Sequence, residues 1–85
     1  MKEFFYVLKD EEGLHARPAG LLAKQAAQYQ SDIFLLYKGK KVSAKKLFSI
    51  MGLAVKCGEA VTVQIEGPDE EAACQEIQAL FANNL

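Results

Sequence analysis

The sequence predicts a two-layer α+β domain, with helices on one face of a mostly antiparallel sheet, in the order βαββαβα. Three observations carry this. The segment Val61, Val63, Ile65 alternates strictly with Thr62, Gln64, Glu66, the period-two pattern of a half-buried strand. Two longer segments repeat apolar residues at spacings of three and four, the signature of amphipathic helices. Short strand-like runs and helical runs alternate along a chain of 85 residues, which has room for one core only.

In chain order, Phe4 to Leu8 is aromatic and β-favouring and reads as the first strand, followed by a turn at Asp10 to Gly13. A helix is expected from Ala16 to about Gln28, with Ala19, Leu22, Ala26 and Tyr29 on its buried side. Ser31-Asp32 breaks it, and Ile33 to Tyr37 forms the second strand. Lys38-Gly39-Lys40 is a tight hairpin, because Gly39 adopts positive φ without a Cβ clash, and Lys41 to Ser43 returns as a short third strand.

A short helix is expected over Ala44 to Leu53, with Gly52 as its terminator. After the turn Cys57-Gly58-Glu59 comes the alternating fourth strand. Gly67-Pro68-Asp69 opens the last helix, with Asp69 as N-cap and Glu70 and Glu71 at the positive end of its dipole. Ala73, Ile77, Leu80 and Phe81 form its buried stripe, and Asn83-Asn84 ends it. No linker, repeat or low-complexity stretch divides residues 1–85, so a single domain is expected.

Composition narrows the function. The chain is 51% hydrophobic and 25% charged, with a net charge of −1, an ordinary globular balance that argues against non-specific nucleic-acid or membrane binding. No apolar run approaches a membrane span. Met1 to Leu8 is a short apolar stretch ending at Lys9-Asp10-Glu11-Glu12, unlike a secretory signal, so a cytoplasmic protein is expected. Cys57 and Cys74 lack metal-ligand spacing and read as reduced structural thiols; no metal and no cofactor is expected. The basic residues are uneven. Lys38, Lys40, Lys41, Lys45 and Lys46 gather in the middle of the chain, while Glu70, Glu71 and Glu76 lie near its end.

The chemistry concentrates in Gly13-Leu14-His15-Ala16-Arg17-Pro18. A proline in the first turn opens a helix at no cost, since its missing N–H has no acceptor there. His15 then sits at a helix N-terminus, where free N–H groups and the dipole collect anions. Arg17 supplies a planar fork matched to phosphate oxygens. His15 is the sole histidine, and Arg17 the sole arginine beside nine lysines. A nucleophilic imidazole beside a phosphate cradle points to a histidine that carries a phosphoryl group. The bland alternative is a surface histidine next to a common helix start. A second feature favours transfer: Leu47, Phe48, Ile50 and Met51 crowd one short helix. Successive residues lie about 100° apart, so some of the four must face solvent. An apolar cluster rimmed by Lys45 and Lys46 suits docking to an acidic partner.

With Gly13-Leu14-His15-Ala16-Arg17-Pro18-Ala19 and Ser43-Ala44-Lys45-Lys46-Leu47-Phe48 in place, the chain resembles the HPr family end to end without a gap. These are the histidine-containing phosphocarriers of the bacterial phosphoenolpyruvate-dependent sugar phosphotransferase system. The resemblance implies an open-faced β-sandwich, a four-stranded antiparallel sheet covered on one face by three helices. It implies a chain that takes a phosphoryl group from enzyme I on Nδ1 of His15 and passes it to sugar-specific IIA domains; a monomer is expected because no strand shows a long apolar edge beyond what the sheet requires. Arg17 and the backbone N–H groups of Ala16 and Arg17 would hold the phosphate. Leu14, Gly20, Lys24, Lys45, Lys46, Leu47, Phe48 and Met51 would form the docking surface.

One position departs from the family. Many members carry a serine where this chain has Lys46, and in Gram-positive relatives a regulatory kinase acts on it. Lys46 offers no hydroxyl. Ser49, in Ser49-Ile50-Met51-Gly52, is a weak substitute, and an ordinary helix serine is the better reading there. A regulatory paralog that signals phosphorylation state by binding partner proteins is the alternative function; a nucleic-acid module is disfavoured by the charge balance.

Overall fold

The computed structural model describes residues 1–85. Its elements are β1 (Lys2–Val7), α1 (Ala16–Ala26), β2 (Asp32–Tyr37), β3 (Lys40–Ser43), α2 (Leu47–Leu53), β4 (Ala60–Glu66) and α3 (Glu70–Asn84). The strands form one antiparallel sheet in the order β1-β4-β2-β3. The register places Phe4 opposite Val63, and Val63 opposite Leu35, so one face collects the apolar residues of all the central strands. Val61, Val63, Ile65, Ile33 and Leu35 are buried there beneath the helices. The other face is open, and Phe5 and Val7 are exposed on it. This is the βαββαβα order, with helices on one face, that the patterning predicts, and the open-faced sandwich that the family resemblance implies.

The core is one cluster of 19 buried apolar residues. α1 contributes Ala19, Leu22 and Ala26; α3 contributes Ala73, Ile77 and Phe81, three positions at helical spacing. Phe81 meets Phe4 and Tyr6 of β1 edge-to-face, with centroids 5.8 and 5.5 Å away, an arrangement that matches ring edges to ring faces. Tyr29 and Leu80 pack only partly against this core, at the ends of their stripes.

Four local expectations need correction. α1 stops at Ala26 rather than Gln28, because Gln28 N–H donates to Gln25 O and Tyr29 N–H to Ala26 O, tightening the chain into a three-residue turn. α2 begins at Leu47, three residues later than expected. Ala44 is buried and its N–H donates to Ile33 O (2.8 Å), which keeps it with the sheet, and Ser43 Oγ accepts from Lys45 N–H in a turn. The helix ends not at Gly52 but at Ala54, which takes a left-handed φ of 54°. Leu53 and Val55 are both buried, and reversing the chain between them sends both side chains inward.

Asp69 occupies the N-cap position of α3, yet its side chain does not cap that helix. Its carboxylate accepts instead from Gln30 N–H, Ser31 N–H and Ser31 Oγ, tying the α1–β2 turn to the start of α3. The Ser31 hydroxyl foremost, then the two N–H groups, hold its carboxyl below the usual range.

Candidate functional site

The site is built on the segment between β1 and α1. Lys9 and Asp10 N–H groups donate to the carbonyl of Leu85, Gly13 N–H donates to Asp10 O (2.9 Å), and Leu14 N–H donates to Val55 O (2.9 Å). Leu8 and Leu14 are buried on either side. The loop is therefore held at both ends by core side chains and between them by backbone bonds. Gly13, with φ of 67°, makes the turn possible: a Cβ there would lie 2.2 Å from Val55 O.

The turn delivers His15 in extended conformation (φ −88°, ψ −173°) to the N-cap position of α1, where its carbonyl accepts from Ala19 N–H. Its side chain makes no capping bond and is 30% exposed. The first-turn N–H groups of Ala16 and Arg17 have no intrahelical acceptor, Pro18 has none to satisfy, and no acid occupies this turn. An anion meets free donors and the dipole there.

His15 also meets two carboxylates. Its Nε2 lies 3.5 Å from Asp10 Oδ2 and 3.9 Å from Glu12 Oε2. Asp10 Oδ1 accepts from Glu12 N–H (2.9 Å), which orients the other oxygen toward the ring. Negative potential at Nε2 favours the tautomer with its proton on that nitrogen, leaving the lone pair on Nδ1. A cleft of about 270 Å³ opens here, lined by Asp10, Glu12, His15, Arg17, Asn83 and Asn84 among others. Arg17 is exposed at its edge and in no ion pair.

A second groove of about 320 Å³ runs from His15 and Ala16 past Met51 to Lys56, so α2 borders the histidine. Phe48 is 81% exposed, Met51 36%, Leu47 is half-buried, and Ile50 is fully buried, the division that the crowding on a short helix requires. Lys24 and Lys46 are exposed, and Gly20 has open space where a Cβ would stand. Two residues of the expected docking surface also serve the fold, Leu14 at the wall of this groove and Lys45. Leu14 is 3% exposed and belongs to the core, and Lys45 Nζ donates to Tyr29 O (2.8 Å), closing the end of α1. Ser49 is half-buried within α2. Asp10 and Glu12 read as turn residues in the sequence; the one signal of their role is their position five and three residues before His15.

No helix is long and apolar enough to cross a membrane. Cys57 is exposed, Cys74 is half-buried, and both are free.

Comparison with known proteins places this arrangement. Residues 2–83 match the family model of the PTS HPr component phosphorylation site. The chain is 37% identical over 78 residues to the phosphocarrier protein HPr of Mycoplasma capricolum, covering 92% of this chain and 88% of that one. The HPr structure from Thermoanaerobacter tengcongensis superposes with a TM-score of 0.92 at 40% identity, covering 98% and 93% of the two chains. The Bacillus subtilis catabolite repression protein Crh, solved as a swapped dimer, superposes at 0.77 with 38% identity over 94% and 92%. A histidine at a helix N-terminus on an open-faced sandwich, in a chain matched almost throughout, makes this protein a member of the HPr family of phosphotransferase-system phosphocarriers.

Proposed function

We propose that the chain accepts a phosphoryl group from enzyme I on Nδ1 of His15 and passes it to sugar-specific IIA domains, acting in the cytoplasm as a monomer. The observation that carries this reading is the pair of carboxylates facing Nε2, which leaves Nδ1 as the nucleophilic nitrogen beside a helix N-terminus. The Nδ1 lone pair forms the new N–P bond, and the donor's bond to phosphorus breaks with its electron pair returning to the donor. The imidazole becomes cationic while keeping its proton on Nε2, where Asp10 and Glu12 stabilise it. The Ala16 and Arg17 N–H groups and the Arg17 guanidinium hold the phosphoryl oxygens. Phe48, Met51 and the edge of Leu47, with Lys24 and Lys46, dock the partners and align the two reacting groups.

Incubation with phosphoenolpyruvate, magnesium and a bacterial enzyme I, followed by intact mass at neutral or alkaline pH, tests this. One phosphate, lost in acid and absent in His15→Ala, is the expected result. The likeness to Crh supports a second reading, a regulatory paralog that acts by binding. No mass gain with an active enzyme I would move that reading to the front.

A further inference from the structure

We infer that Asp10, Glu12 and His15 form a binding site for a divalent cation of the zinc class, and that its occupancy silences His15 as a nucleophile. The inference concerns Nε2, the ring nitrogen that receives no phosphoryl group, and its silencing half rests on the phosphocarrier reading. One atom from each residue lies within 4.8 Å of the other two, and the two distances from Nε2 are 3.5 and 3.9 Å. Tetrahedral zinc with bonds of about 2.0–2.1 Å places its ligands roughly 3.3 Å apart, so small side-chain rotations close the site.

The donor set selects the metal. One imidazole and two carboxylates match a three-ligand zinc site with an open fourth position, whereas magnesium prefers six oxygens and keeps its water. The cleft at this point leaves room for that fourth ligand, a water. Two further observations point the same way. Neither carboxylate is paired with a lysine or arginine, although both lean toward the same ring. The ligands also stand on a loop already held by backbone bonds to Leu85 and Val55, and Asp10 is oriented by Glu12 N–H, so the exposed Glu12 side chain is the main group left to order on binding. Arg17 at the cleft edge opposes the cation, and the two carboxylates outweigh its single charge.

The consequence follows from the imidazole itself. A neutral ring has one N–H and one lone pair in its plane. When the metal takes the lone pair at Nε2, the proton moves to Nδ1, and that nitrogen has no in-plane lone pair left to attack phosphorus. Metal and phosphoryl group thus demand opposite tautomers of one side chain.

The test is a Zn²⁺ titration of the unphosphorylated full-length protein by calorimetry and by ¹⁵N NMR of the imidazole. It is run in the wild type and in Cys57→Ser/Cys74→Ser, which removes thiol binding. One equivalent bound, with the ring proton appearing on Nδ1, is expected in both. Asp10→Asn and Glu12→Gln should each weaken binding more than about tenfold, the least that losing even an outer-shell partner costs. His15→Ala should abolish it. Binding that vanishes without the cysteines, or that is unchanged in both carboxylate variants, overturns the inference. So does metal on Nδ1, or no binding at all. The titration contains no phosphate donor, so it succeeds or fails independently of the phosphocarrier reading.

Discussion

Replacing Gly13 by alanine should destabilise the protein and displace His15 through one steric conflict. The added Cβ would sit 2.2 Å from Val55 O and 2.9 Å from Lys56 Cα, both backbone atoms. Non-bonded carbon contacts are comfortable at about 3.5–4.0 Å, so the two segments must part by roughly 1 Å. Parting them breaks the bond from Leu14 N–H to Val55 O, whose donor belongs to a buried residue. A buried donor left unsatisfied costs about 1–3 kcal/mol. The left-handed φ of 67° adds about 1–2 kcal/mol once a Cβ is present. Against these, alanine restricts the unfolded chain and returns about 0.4–1 kcal/mol. The net is a loss of about 1–5 kcal/mol, centred on roughly 3, a large share of the ~5–10 kcal/mol expected for a domain of this size.

Gly39 provides the control. Its φ is 80°, but its Cβ would meet nothing within 4 Å, so Gly39→Ala should show the conformational cost alone, about 1 kcal/mol. Urea unfolding of both variants separates the terms, and phosphoryl acceptance should fall in Gly13→Ala only. A Gly13→Ala protein no less stable than Gly39→Ala would refute the steric reasoning.

Phe48→Ala should shift stability by less than about 0.5 kcal/mol, because the ring is in solvent, yet raise the KM of enzyme I for the carrier. An unchanged KM would remove Phe48 from the docking surface. Lys46→Glu should slow transfer from partners with acidic docking faces, an effect that shrinks with added salt; identical rates at low salt would dismiss it. Glu59 accepts from the Tyr37 hydroxyl, from Lys56 N–H and from Lys38 Nζ, and these bonds, the tyrosine's first, pull its carboxyl from 4.5 down to about 2. A depressed carboxyl stabilises the fold above its unfolded value and stops doing so as pH falls through the folded one. Wild-type melting temperature should therefore drop between about pH 4.5 and 2 by more than that of Glu59→Gln, and parallel curves would contradict the assignment.

Much of the site is legible in the chain because its parts are adjacent. His15, Ala16, Arg17 and Pro18 lie in one turn, and helix geometry alone puts free N–H groups beside the imidazole. The exposure of Phe48 and Met51 is likewise a matter of local period, since Ile50 takes the one inward direction that so short a helix offers. Leu14 and Lys45 were not legible in the same way. An apolar residue next to a candidate phosphoryl acceptor looks fully available for docking until folding leaves it 3% exposed, and a lysine looks free until the Tyr29 carbonyl comes within 2.8 Å.

The amino-acid sequence by itself determined the element order, the buried faces of β4, α1 and α3, and the placement of His15 at a helix start, because each depends on periodicity or on neighbours a few residues away. Tertiary structure alone decided the termini of α2, the use of the Asp69 carboxylate and the partners of Nε2. Asp69 serves Gln30 and Ser31, nearly forty positions away, rather than the helix it opens. Ala54 rather than Gly52 reverses the chain because Leu53 and Val55 must both reach the core. Asp10 and Glu12 face His15 because bonds to Leu85 and Val55, from opposite parts of the chain, bend the loop into place. Hydrogen bonds and burial between distant segments have no local period, so they come into being only when the chain is folded.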